Sequence, residues 1–407
     1  MDDNGRPISN FYVSFVALCS SVLRRMARVT DRSSAFLRRT GVSVCLPLAL
    51  VCVGVGQSSA WAQGGTVLPS SDNGRSLSVS SNPGSPAKQN LDRVVIRQGL
   101  TEATRLSLWK PLKRSEQFGR ISHLDNREML IEVEGDTDQV GLPTARRLRI
   151  PCDQIESVDP VWQDDSTKEL VQLFERRMYR EFIQALRERD LAAIPQWQQL
   201  LLLNKVVQAV DAVQGPTASA NPFLRMAESA PDFLYASMPL CWTFSEMDRD
   251  FKEKCRTWME SPSEVAQLLG ASWLLQDTEG HRAAQVISQL QSSSNNAVAQ
   301  LSAAQAWRLI PPPDTMNQIA KWIAIRDRML LPLSLGPTEF LVERLSRVGQ
   351  PDLAVGQALW IATMSPGDSA RVARSLGKAA ELLSAGGYQT EAQRVFDWRK
   401  ELLGAAE

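Results

Sequence analysis

The sequence predicts an α+β chain that is mainly α: a small β-barrel-like module followed by an α-solenoid of helical hairpins. Three observations predict it. Residues 91–160 hold short β-branched and alternating runs closed by turn residues. From residue 164 onward the apolar residues recur at helical spacing. Within 336–403 two helix–turn–helix patterns repeat, with Gly349 and Gly387, Ala354 and Ala392, and Trp360 and Trp398 each separated by 38 positions.

Residues 1–62 carry seven Arg and no Lys against Asp2, Asp3 and Asp31. Arg38-Arg39 leads into the apolar run Val42 to Val55, and Ala60-Trp61-Ala62 supplies the small residues of a cleavage site. This reads as a signal peptide over 1–62, cleaved near Ala62, with Met26 as an alternative start. The run is shorter than the roughly 20 residues that span a bilayer, so no stable transmembrane anchor is expected after cleavage. The implied location is exported, periplasmic or cell-envelope. Residues 63–90 are rich in Ser, Gly, Pro and Asn and read as a disordered linker.

The chain carries 45 basic and 45 acidic residues, and the part after residue 62 keeps 38 basic against 42 acidic. A nucleic-acid partner favours a basic face, so none is expected.

In 91–160, strands are expected at Val94-Val95-Ile96, Phe118 to Ile121, Met129 to Val133, Leu148 to Ile150 and Ile155 to Val158, with a short helical insertion at Thr101 to Leu108. This order of short strands resembles the small SH3-like or Sm-like modules found ahead of other domains in exported bacterial proteins. The cluster Arg146, Arg147 and Arg149 reads as a charged strand edge that resists pairing with another chain.

The helical region 164–407 opens on Ser166 and Glu169, which form a capping box for a helix through Leu170, Phe174, Met178, Phe182 and Leu186. A second helix runs from Pro195 to Val213 and stops at Gly215-Pro216. Residues 215–245 are rich in Pro, Ser and aromatic groups, which predicts short, irregular connections. Ser261-Pro262-Ser263-Glu264 starts another helix, and a hairpin around Gly280 repeats the Leu and Ala spacing of the last unit 108 positions earlier. Pro311-Pro312-Pro313 hands the chain to Asp314 as a cap.

The final hairpins place Leu341, Leu345, Gly349, Ala354, Ala358, Ile361 and Pro366, then Leu376, Gly377, Ala380, Leu383, Gly387, Tyr388, Ala392 and Phe396. This pattern resembles the tetratricopeptide repeat, whose unit is two antiparallel helices. The resemblance implies a concave surface that binds a protein or peptide and performs no chemistry.

His123 and His281 have no Cys, His or carboxylate at a metal-ligand spacing, and no phosphate loop, dinucleotide fingerprint or nucleophile elbow occurs. No catalytic residue, metal or cofactor is assigned. Cys241 and Cys255 are candidates for one disulfide; the competing reading is three buried thiols, with Cys152 as the odd one. Trp197, Trp258, Trp273, Trp307, Trp322, Trp360 and Trp398 fall within predicted helices, where inter-helix packing outweighs sugar stacking. The expected function is an exported non-enzymatic scaffold. An envelope enzyme acting on glycans, or a self-assembling structural component, is the alternative.

Overall fold

The computed structural model describes residues 91–97, 114–137, 143–243, 246–311, 315–365 and 368–404. The signal and linker stretches, the Thr101–Leu108 insertion, the Asp314 cap and Pro366 lie outside them. The chain is α+β and mainly α, and everything described belongs to one compact unit, Ser85–Glu407. The sheet at 91–160 is therefore packed with the helices from 164 onward.

Five strands form an antiparallel sheet: β1 (Asp92–Arg97), β2 (Arg114–Leu124), β3 (Glu128–Thr137), β4 (Pro143–Pro151) and β5 (Ile155–Asp159), in the order β4-β3-β2-β1-β5. The first four meander, and a 3-10 turn at Cys152–Gln154 lets β5 return to pair with β1. The expected barrel-like closure is not what forms; β4 and β5 are the edges of an open sheet. The apolar face built by Val94, Ile121, Met129, Ile131, Ile150 and Ile155 is buried, and helices supply the cover that closure would have supplied. Arg146, Arg147 and Arg149 do lie on edge strand β4, where Arg147 and Arg149 pair with Glu132 and Glu128 on β3.

Asp92 ties the sheet to the chain leaving it. Its buried carboxylate accepts from the backbone N–H of Ile121 at 2.8 Å and of Val161 at 2.7 Å. Arg97, 3 % exposed, donates from Nη2 to the Arg328 carbonyl at 2.5 Å, and Asn126 donates to the Glu228 carbonyl. A buried guanidinium needs such a partner, so these contacts fix where the sheet sits.

The helices are α1 (Asp165–Glu175), α2 (Tyr179–Arg187), α3 (Gln196–Gln214), α4 (Pro216–Ala227), α5 (Arg249–Met259), α6 (Glu264–Leu274), α7 (Gly280–Leu290), α8 (Asn296–Gln305), α9 (Thr315–Arg326), α10 (Leu335–Arg347), α11 (Pro351–Met364), α12 (Ser369–Ala385) and α13 (Gln389–Gly404). Neighbours in sequence pack as antiparallel pairs over most of the array, and α1 on α3, α4 on α6, α6 on α8 and α8 on α10 also touch. This layering is solenoid-like.

The single helix expected from Ser166 to Leu186 is two. Asp164, not Ser166, is its cap, accepting from Thr167 N at 2.9 Å. The break falls at Arg177, whose φ of 61° is the only left-handed non-glycine conformation among the described residues. Met178 N then reaches back to the Leu173 carbonyl at 2.9 Å. Phe174, Tyr179 and Phe182 meet across the turn with ring centroids 5.4 and 5.5 Å apart.

The same turn closes the α10–α11 and α12–α13 hairpins. Gln350 N bonds to Leu345 O and Tyr388 N to Leu383 O, each at 2.9 Å, with Gly349 at φ 73° and Gly387 at φ 80°. This five-residue back-reach is the Schellman arrangement. The hairpin α6–α7 lacks a left-handed residue at its turn, so the third turn of this geometry is at Arg177 and not near Leu275.

Several Trp serve as interior packing. Trp197, Trp273, Trp307 and Trp322 are buried, with Trp307 stacked on Trp322 at 5.6 Å, while Trp360 lies under the Arg326 guanidinium at 4.1 Å. No described helix is long and apolar enough to cross a membrane.

Candidate ligand cavity

The helical path brings the end of α13 back to its beginning. Arg177 Nη2 donates to the Leu402 carbonyl at 2.6 Å, and between these ends lies a cavity of about 1420 Å³. Its wall draws on β1 and β5, α1, α3, the segment Phe233–Thr243, α10 and α12.

Helix α3 contributes a continuous face. Leu201, Asn204, Lys205, Gln208, Asp211 and Ala212 line the cavity at spacings of three and four, one side of a helix. Leu200, Leu202, Val207, Ala209 and Val210 bury the rest of α3. Four polar side chains thus stand inward on a helix otherwise held by its apolar residues.

These groups have spare bonding capacity. Asn204 Oδ1 is buried with no hydrogen-bond partner, and the Gln208 amide makes no hydrogen bond among the described residues. Lys205 Nζ stands 4.5 Å over the Phe174 ring with no carboxylate in ion-pair range. Burial holds its ammonium below the usual lysine range, and Glu175 and Asp159 offset this only in part. Asp211 accepts weakly from Ser219 at 3.4 Å; burial raises its carboxyl, against the pull of Arg374 and Arg371.

Most of the remaining charges around the cavity are matched, Glu175 being a lining carboxylate without an ion pair among the described residues. Arg93 meets Glu116 at 2.7 Å and Asp159 at 2.9 Å, and Arg114 meets Glu156 at 2.5 Å. Arg371 meets Glu339 at 3.1 Å and Asp368 at 3.4 Å. Burial works against the Arg371 charge, yet these carboxylates hold it above the ordinary value.

Cys241 lines the cavity, but Cys241, Cys255 and Cys152 are all buried free thiols, so the Cys241–Cys255 disulfide is not formed in this structure. Cys241 Sγ donates to the Thr243 carbonyl at 2.9 Å, and Arg308 Nη2 stands 3.5 Å from it. Burial pushes the Cys241 thiol up despite that guanidinium. His123 is an exposed residue 3.2 Å from Asp125, and His281 is exposed on α7. Among the described residues no cluster of His, Cys, Asp and Glu is arranged to hold a metal.

The inward stripe of α3 is absent from the sequence reading. Its only signal is four polar residues at helical spacing between two apolar runs, which any surface helix also shows.

No family model matches this chain, and neither the curated proteins nor the solved structures contain a match to it.

Proposed function

We propose that the chain is an exported, non-enzymatic interaction or scaffold protein of the bacterial cell envelope, which holds a protein or peptide partner within its helical repeats. The observation that carries this reading is the stripe Asn204, Lys205 and Gln208: three cavity-facing side chains with unused hydrogen-bonding capacity. Only Asn204 Oδ1 is fully buried; Lys205 and Gln208 are half-buried, and both can turn from water to a ligand without breaking a bond within the protein. The three shared hairpin turns support a tetratricopeptide-like repeat, and the Arg-led apolar run ending at Ala60-Trp61-Ala62 supports export.

The test is a photo-crosslinking residue at Gln208, with a control at exposed Arg282 on α7, which does not line the cavity, in the chain expressed in its own envelope. Polypeptide adducts at Gln208 and not at Arg282 are expected. Adducts with glycan or lipid alone, or none, would overturn the reading.

A second reading has one observation in its favour. Asp211, its carboxyl raised by burial and by Asp368, shares the cavity with other carboxylates, an arrangement a glycan-cleaving enzyme could use. Turnover of envelope glycan by the wild type and not by Asp211→Asn would favour it.

A further inference from the structure

We propose that the α3 stripe seats a peptide in extended conformation, with an acidic side chain of that peptide against Lys205. This rests on the interaction reading above and narrows it to a chemistry.

The spacing carries the first half. Asn204 and Gln208 are one helical turn apart, a rise of about 6 Å. An extended chain presents equivalent N–H and C=O groups every second residue, about 6.6 Å apart. Side-chain amides offer both a donor and an acceptor, so each can meet one peptide unit on the same edge of the ligand. Asn204 Oδ1 is closed to the cavity as it stands and has no partner in the wall, so the amide must turn to present its oxygen to a ligand and breaks no hydrogen bond of that oxygen in doing so.

Charge carries the second half. Among the charged side chains described above around the cavity, Lys205 is the cation that meets neither a carboxylate nor a carbonyl oxygen. The Phe174 ring stabilises it, while Glu175 and Asp159 act on it without coming within ion-pair range and offset its burial only in part. At the other end of the stripe Asp211 already faces Arg371 and Arg374. The ligand's negative charge therefore belongs at the Lys205 end.

A glycan fits less well. Trp162, Trp242 and Trp273 line the cavity but are 9, 8 and 4 % exposed, and Trp273 Nε1 is committed to the Pro239 carbonyl at 2.9 Å. Their faces belong to the wall and offer no stacking platform.

The experiment pans a random peptide library on the full chain, then titrates the enriched peptides by fluorescence anisotropy. Enrichment of Asp or Glu is expected, with Lys205→Met weakening binding about ten-fold or more and Lys205→Arg restoring most of it. Backbone N-methylation, scanned along one peptide against the wild-type chain, should weaken binding at two positions two residues apart and not at the position between them. That scan needs no variant to fold. Peptides that bind without an acidic preference, with no two-residue period and with full affinity for Lys205→Met, would sink the stripe while leaving peptide binding intact. Failure to enrich any peptide, together with binding of a uronic-acid oligosaccharide, would sink both.

Discussion

Arg177 joins the two ends of the helical array, its guanidinium on the Leu402 carbonyl at 2.6 Å across 225 positions of sequence. The same residue holds a left-handed backbone at φ 61° to reverse α1 into α2. One residue thus reverses the chain with its backbone and ties the cavity wall with its side chain.

Those two roles separate by substitution. Arg177→Ala keeps the left-handed cost and loses the charge-assisted bond, so it should destabilise by about 1–2 kcal/mol in urea unfolding. Arg177→Gly relieves the backbone cost and should fall between Ala and wild type. Both should speed hydrogen exchange over 389–404. Unchanged exchange there in both variants would mean that Arg177 does not hold α13.

Gly349 and Gly387 stand at the equivalent turns with nothing within 4 Å of an added Cβ. A substitution there meets no steric obstacle, so its cost is conformational alone. Alanine at either position should destabilise by about 1 kcal/mol, and asparagine by less. Equal losses for Ala and Asn would point to a cause other than φ.

Gly336 is the contrasting case. A Cβ on this α10 glycine would overlap the indole of Trp242, which is 8 % exposed. Gly336→Ala should cost about 1–3 kcal/mol, the range for overpacking. Adding Trp242→Phe should recover part of that loss, since the two sites share one contact. Strictly additive losses in thermal melts would show that the contact is not what excludes a side chain at 336.

How legible was this in the sequence? Gly349 and Gly387 were readable because glycine announces a reversal, and the strands of 91–160 because β-branched runs between turn residues are local signals. The Arg177 turn was hidden: Leu170, Phe174, Met178 and Phe182 recur every four residues and imitate one continuous helix. Openness of the sheet was hidden too, because the alternation in Met129–Val133 is the same whether a strand or a helix covers that face. The pairing of Cys241 with Cys255 was open in the sequence because loop length permits a bond without supplying the Cα separation that decides it. Asn204, Lys205, Gln208 and Asp211 look like an ordinary solvated face until β5, the Phe233–Thr243 segment, α10 and α12 are placed around it.

The thiols give a pH dependence of definite sign. Burial, with Cys241 nearby, pushes the Cys255 thiol from its ordinary 9.0 up to about 12, and burial raises Cys152 and Cys241 as well. Above pH 9.0 the unfolded chain releases these protons while the folded chain retains them. Stability that is whole below pH 9.0 is therefore lost progressively as pH rises toward 12. Cys255 should contribute about 1 kcal/mol of that loss by pH 10, with Cys152 and Cys241 adding in the same direction. Urea midpoints measured from pH 7 to 10 should fall, and Cys255→Ala should flatten the slope. In the same chain an alkylating reagent should label none of the three thiols until denaturant is added, and a reducing agent should leave the midpoint at pH 7 unchanged. A midpoint that drops on reduction would show that Cys241 and Cys255 are bonded in solution after all.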